Sequence, residues 1–415
     1  MNNFYKLLSV FLLLIMVVPV AAEVSIDGFL QGLYGARLDQ NNPTATEFTA
    51  SETRMQLRAE HFGDNGEFFG RLDFLYDASD TVQYDWELRE GYFKFRLGSN
   101  IDIKAGRQIL TWGTGDLVFI NDIFVKDYRS FFVGRDDQYL KAPQNAIRIE
   151  YYNNFGSFSL VWTPRFEANR LPTGRKLSYF HPMVGSIVGE DFYFEAPLPE
   201  PKFENSEIAT RFSKRLGMYN TSLYFYKGFY KNPIGSDIGG NPIYPKLNVY
   251  GASIRGVLAG GVVWLEGGYY DSRQDADGDN PYMPNSTIQG LFGFERQIAT
   301  NLTANIQWQV DMMLDYDFYE QQQTGAGMYV RDETKHMLTS RVTKLLYDEL
   351  ITLSGFVFYS PSEEDMYIRL STSYKYTDEI SLMAGANIFD GNYPASDFGT
   401  SMLNDNLYLK LTYGF

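Results

Sequence analysis

The sequence predicts an all-β protein, a closed antiparallel barrel that crosses a membrane with about 16–18 strands. Three observations predict it. Apolar and polar residues alternate in short segments repeated along the chain. The connections between those segments alternate short and long. Aromatic residues make up 16%, with 31 Tyr and 32 Phe, and cysteine is absent. A soluble sandwich would also alternate, but it has no reason to sort its loops by parity. No 3.6-residue apolar period persists, which excludes a long helical domain.

The first 22 residues have the parts of a cleaved secretory signal. Lys6 supplies the basic start, Leu7 to Val20 the apolar core, and Ala21 and Ala22 the small residues before Glu23. The apolar run is short for a membrane-spanning helix. Cleavage after Ala22 leaves a single domain over 23–415. Zero cysteines exclude disulfides, thiolate metal sites and cysteine nucleophiles. A closed, hydrogen-bonded barrel in lipid supplies stability without them. The chain carries 36 basic and 51 acidic residues, a net charge of −15. Losing Lys6 with the leader takes that to −16, a balance that argues against nucleic-acid binding.

The alternating segments fall near 24–38, 51–62, 67–79, 86–98, 101–113, 144–153, 157–169, 206–215 and 219–231. They continue near 247–258, 261–273, 284–297, 302–315, 333–346, 350–360, 365–377, 380–389 and 405–415. Short connections include 63–66, 98–100, 153–156 and 298–301, and the longest long ones are 114–143 and 170–205. This is the pattern of an outer-membrane barrel, with short periplasmic turns and long external loops. An even strand count puts both ends on the turn side.

The faces follow from period two. Met55, Leu57 and Ala59 alternate with Arg54, Gln56, Arg58 and Glu60. A charge at the bilayer midplane costs about 2–4 kcal/mol, so the charged face points inward. The inward bases are then Arg54, Arg58, Arg71, Lys94, Arg96, Lys104, Arg148, Arg211, Arg215, Arg255, Arg341 and Arg369. Inward acids are fewer: Glu60, Asp73, Glu90, Asp102, Glu150 and Glu295. Such a wall either lines a charge-selective pore or pairs internally and plugs the barrel. A barrel of this size leaves an aqueous channel, which favours the pore.

Residues 114–143 form the third external loop. It is too apolar for a solvated tip, with Leu117, Val118, Phe119, Ile120, Phe124, Phe131 and Phe132. A loop of this length is often functional. Folding inward would bury the aromatics and bring Asp116, Asp122, Asp127, Arg129, Arg135, Asp136 and Asp137 across the lumen. The other arrangement is an external cap.

The last ten residues, NLYLKLTYGF, alternate Leu407, Leu409, Leu411, Tyr413 and Phe415 with smaller or polar residues. They resemble the C-terminal signature of outer-membrane β-barrels. That resemblance implies that Tyr413 and Phe415 are read by the barrel-assembly machinery. The in-folding loop resembles the constriction loop of general porins. The stretch WELREGYFKFRLGSNIDIKAGRQILTWGTGDLVFIND carries LREGY, GRQ and WGTGD. It resembles a broad family of uncharacterised porin-related outer-membrane proteins, and implies a barrel strand pair opening into a loop. Strict alternation places Arg107 on the lipid side, so either Gly106 is a bulge or the register differs there.

Enzyme chemistry has little support. The three histidines are His61, His181 and His336, and only His336 has Asp332 and Ser340 near it in sequence. No cofactor is expected. Asp275, Asp277 and Asp279 alternate as weak Ca²⁺ ligands would, but the EF-hand Gly and final Glu are missing. The reading is an outer-membrane, porin-like channel for small hydrophilic or charged solutes. The alternative is a plugged barrel serving an envelope transport complex. Expected partners are outer-membrane lipid and lipopolysaccharide, the assembly machinery and, for a porin, two further copies in a trimer.

Overall fold

The computed structural model describes residues 24–415, except 45, 64, 65, 81 and 327; the leader expected over 1–22 lies outside the described residues. Eighteen strands close into one antiparallel barrel. They are β1 (Val24–Arg37), β2 (Phe48–Gly63), β3 (Gly66–Asp77), β4 (Tyr84–Leu97), β5 (Ile101–Ile109) and β6 (Pro143–Asn153). Next come β7 (Gly156–Thr163), β8 (Glu207–Leu216), β9 (Tyr219–Phe229), β10 (Lys246–Leu258), β11 (Gly261–Ser272) and β12 (Thr287–Ala299). The last are β13 (Leu302–Met313), β14 (Thr334–Leu346), β15 (Ile351–Ser360), β16 (Asp365–Lys375), β17 (Ile380–Gly391) and β18 (Asn406–Gly414). Each strand pairs with its neighbours in sequence, and β1 also pairs with β18 from Phe29↔Gly414 to Arg37↔Asn406. Closure removes the sheet edge, so every strand backbone finds a partner without water.

Long connections gather at one end of the barrel and tight turns at the other. Two connections on the long-loop side, 78–83 and 361–364, are themselves short. The sequence places the ends of most strands to within a few residues. Two of the expected strands run too far. The segment 101–113 stops at Ile109 and 157–169 stops at Thr163. Beyond Ile109 the chain turns inward, so Leu110 and Trp112 are buried against the wall instead of continuing the ladder.

The outward face is apolar because it meets lipid. On β18, Leu407, Leu409, Leu411 and Tyr413 are exposed, while Asn406, Tyr408 and Lys410 are buried inside. Phe415 extends the outward set and its backbone exchanges two hydrogen bonds with Gly28. An arginine at Leu409 should weaken folding into lipid vesicles by about 2–4 kcal/mol, read from urea titrations. Unchanged stability would take Leu409 out of the hydrocarbon.

The interior is not hollow at every level. Four apolar clusters form between the wall and the connection 110–142, which lies inside the barrel. Trp112 and Phe124 pack on Tyr224 and Val249. Phe131 and Leu140 pack on Phe356, Phe358, Tyr367 and Phe389. Val133 meets Leu33 and Tyr408. Val118 and Ile120 meet Trp264 and Leu291. Aromatic residues on inward positions of β15–β17 therefore pack against this loop, not against another sheet.

The motif region departs from regular pairing once, and not at Gly106. Arg71 pairs with Glu90 and Leu72 with Leu88, so Arg89 is the extra residue of a bulge in β4. Gly106 adopts φ +132 but keeps register, with Tyr92 on one side and Ala146 on the other. Arg107 keeps the parity of Ile103 and Ile109. Its guanidinium is satisfied there by the Leu88 carbonyl at 2.8 Å and by Glu167 at 3.1 Å.

Candidate functional site

The inner loop is held by wall residues on nearly every side. Its first part is fixed by one carboxylate. Glu266 on β11 accepts from the Thr114 backbone N–H at 2.6 Å, the Thr114 hydroxyl at 2.7 Å and the Asn121 backbone N–H at 2.7 Å. The Asn121 side chain adds a fourth donor at 3.1 Å. Gly113 has φ +79, which favours glycine, and a Cβ there would sit 2.8 Å from the Glu266 carboxylate and press on it. Gln307 on β13 then exchanges two bonds with the Asp116 backbone, each 2.8 Å.

The second part is held from β1–β4 and β16–β18. The Arg89 guanidinium, aimed inward by the bulge, donates to the Gln138 and Lys141 carbonyls at 3.1 and 3.0 Å. Gln56 donates to the Tyr139 hydroxyl at 3.1 Å, and Arg54 and Arg89 both lie over the Tyr139 ring. Arg135 donates to Glu52, at 2.9 Å from its Nε. Asn387 and Asn406 donate to the Phe132 carbonyl.

These contacts explain the motif residues. In LREGY, the Leu88 carbonyl accepts from Arg107, Arg89 carries the loop's end, and Glu90 sits 3.4 Å from Arg71. In WGTGD, Trp112 packs on the wall, Thr114 meets Glu266, and Asp116 pairs with Arg341 at 3.0 Å. The conspicuous stretch is the hinge and fastening of the inner loop.

The loop acids expected to face the lumen divide into two groups. Asp122 and Asp127 are both buried, Asp127 at the floor of a cleft. Asp122 is buried, accepts from Thr111 at 2.7 Å and pairs with the buried Lys126 at 3.0 Å. Asp127 caps the short helix α1 (Tyr128–Phe132), accepting from the Ser130 N–H at 3.1 Å. Burial opposes its charge, but Arg129, Arg170 and Arg135 hold its carboxyl below the usual aspartate range. Asp116, Asp136 and Asp137 remain partly open, the last with 42% of its side chain exposed. They face wall bases. Asp137 pairs with Arg369 at 2.6 Å and lies 3.6 Å from Arg341. Asp136 pairs with Lys410 and accepts from Gln31 at 3.2 Å. Arg129 is half open and, with Glu52, Asp77, Glu87 and Arg170, lines a cleft of about 250 Å³ on the long-loop side.

The expected wall bases likewise differ in their surroundings. Arg54 is 5% exposed, is bonded to Asp73 beneath the loop, and borders the same cleft as Glu52. Toward the turn end Arg58 pairs with Asp27, Arg71 with Glu90, Lys94 with Glu67, and Arg96 with Asp102. Arg148 pairs with Glu150, and Arg211 is 4.0 Å from the same carboxylate. Arg215 is exposed and donates to the Gly217 carbonyl, and Arg255 reaches the Thr114 carbonyl at 3.3 Å. The wall is therefore more balanced than the sequence suggests, because Asp27, Glu52, Glu67 and Glu266 also face in.

The weak cation site is corrected. Asp275 is buried and accepts from the Asp279 and Asn280 N–H groups in its own turn. Among the described residues, no group of three or more acidic or histidine side chains could hold a metal. His336 is on the outward face, where it stacks on Trp308 and accepts from its indole N–H at 3.3 Å.

No family model matches the chain, and no curated protein matches it. Solved structures do. OccK3 (OpdO) of Pseudomonas aeruginosa superposes with a TM-score of 0.57 at 9% identity, over 95% of this chain and 96% of its own. OccAB4 of Acinetobacter baumannii gives 0.56 at 9%, covering 95% and 98%. OccAB3 of the same organism gives 0.55 at 9%, covering 95% and 99%. This is the outer-membrane porin fold. In a porin fold the tight turns mark the periplasmic end and the long loops the outside. On that frame the fastened loop lies within the barrel, and the paired bases of β2–β8 lie below it, toward the periplasm.

Proposed function

We propose that this chain is an outer-membrane channel for passive diffusion of small hydrophilic or charged solutes. The carrying observation is the half-open face where Asp116, Asp136 and Asp137 of the loop oppose Arg341, Arg369 and Lys410 of the wall. These contact ion pairs stay partly exposed, so together they present both signs of charge along one side of the passage, which orients dipolar solutes and tunes ion preference. The loop acts as the constriction, and the exposed Arg215 beside the periplasmic turn attracts anions to that mouth. No side chain makes or breaks a bond. The likeness to porin-related proteins carrying LREGY and WGTGD belongs to this reading, as does assembly directed by Tyr413 and Phe415.

A second reading has its own support. The loop's bonds to Glu52, Glu266, Gln307 and Arg89 reach around the barrel, as they would in a plugged component of a transport complex. Refolded protein in a planar bilayer under a salt gradient separates the two. Stable single-channel steps are the expected result. A folded, heat-modifiable barrel that conducts nothing would overturn the channel and leave the plugged barrel.

A further inference from the structure

The outer surface carries a groove that the solute path does not use. It holds about 640 Å³ and crosses β8–β11. Two adjacent ladder rows form it, one from Lys214 to Leu265 and one from Phe212 to Gly267. The alternate residues of these strands, such as Tyr224 and Trp264, are buried in the barrel, so both rows face lipid. Leu223 and Leu265 stand out as walls, 60% and 52% exposed. Ala252 and Gly267 form the floor, where a Cβ on Gly267 would meet only the Gln289 carbonyl, at 3.6 Å.

The rows do not run parallel to the membrane. On β8–β9 the pair Leu216↔Tyr219 adjoins the periplasmic turn. The same row on β10–β11 is Gly256↔Val263, two residues short of the turn-end pair Leu258↔Gly261. Following the groove from β8 to β11 therefore climbs from the periplasmic rim toward the bilayer middle. Lys214 stands at its low end. The ammonium lies 4.0 Å from the Phe155 ring of the neighbouring turn and forms no ion pair among the described residues. Arg296 and Lys344 are also outward bases near the periplasmic rim, on β12 and β14.

We propose that the groove seats one acyl chain of an inner-leaflet glycerophospholipid, with its phosphate against Lys214. The groove continues the lipid-facing band, so hydrocarbon is what it already meets. A long basic side chain at this depth sends its charge to the headgroup layer, where the phosphate is its complement. The slope then carries the attached chain up onto the Ala252 and Gly267 floor. A second copy of this protein would match the apolar walls but bring nothing specified for the ammonium. The inference stands whether or not the barrel conducts.

Native mass spectrometry tests it on full-length protein taken from vesicles of phosphatidylethanolamine and phosphatidylglycerol. The parent should keep one phospholipid at collision energies that strip the rest. Lys214→Glu, and separately Ala252→Leu with Gly267→Leu, should lower the retained fraction about fivefold or more. Lys214→Arg should keep it. Heat-modifiable migration shows that each variant is folded, and Lys214→Glu alone still decides if the leucine pair misfolds. Equal retention in parent and Lys214→Glu would overturn the seat. So would a parent oligomer that the groove variants dissociate, which would make this face a contact between copies.

Discussion

A Glu266→Ala channel is expected to pass about twofold more current per opening than its parent, with noisier open levels. The reason is the concentration of bonds on one group. Four donors from Thr114 and Asn121 converge on a carboxylate that is 5% exposed. Hydrogen bonds to a charged acceptor are worth about 1.5–3 kcal/mol each, and their loss strands buried N–H groups. The first part of the loop must then leave the β11 wall to find water. The strand ladder of β11 is untouched, so the barrel still folds. Single-channel recording checks this, with Glu266→Gln as the companion because it keeps the shape but loses the charge. Current identical to the parent would show that the loop does not set the conductance.

The second large effect is on selectivity. Arg341→Gln combined with Arg369→Gln leaves the Asp116 and Asp137 carboxylates without a wall cation, Asp116 keeping only the neutral Asn305 amide at 2.8 Å. Unpaired charges of one sign at a narrow passage act on every ion that crosses. The reversal potential in a potassium chloride gradient should move toward cations, with a permeability ratio changed about threefold. Substituting Arg54 should not do this, since its guanidinium is spent on Asp73 under the loop. An unmoved reversal potential in the double variant would remove the Asp137 cluster from the ion path.

The fold was legible because lipid imposes a simple rule on alternate residues. Leu407, Leu409 and Leu411 on one face, with Tyr408 and Lys410 on the other, already distinguish outside from inside. The inner loop was legible as an anomaly, through apolar residues such as Ile120 and Phe131 that a solvated tip would not carry. Its partners were not. Glu266, Gln307 and Glu52 are ordinary inward polar residues, and period two says which way they point but not what lies opposite. That Asp122 and Asp127 would be consumed depends on Lys126, on the cap of α1 and on Arg170 of the following loop. This is geometry that charge counting misses. Arg89 was hidden by its bulge, because one extra residue breaks the period on which the reading depends. The signal that could have found these residues was the dense LREGY and WGTGD spelling, where glycines and charges sit too close together for a plain strand.

One contact bears on how such a molecule comes together. Asp136 of the inner loop touches Gln31 on β1 and Lys410 on β18, the two strands that meet only when the cylinder shuts. The two wall groups are 379 residues apart in the chain, and the loop acid bridges them. Until the first and last strands pair, that acid has half its partners at most. Contacts between such distant parts form late, because chain entropy must be overcome first. The loop's final seating thus follows closure of the wall, and a chain stalled with an open seam keeps its inner segment loose and accessible to protease.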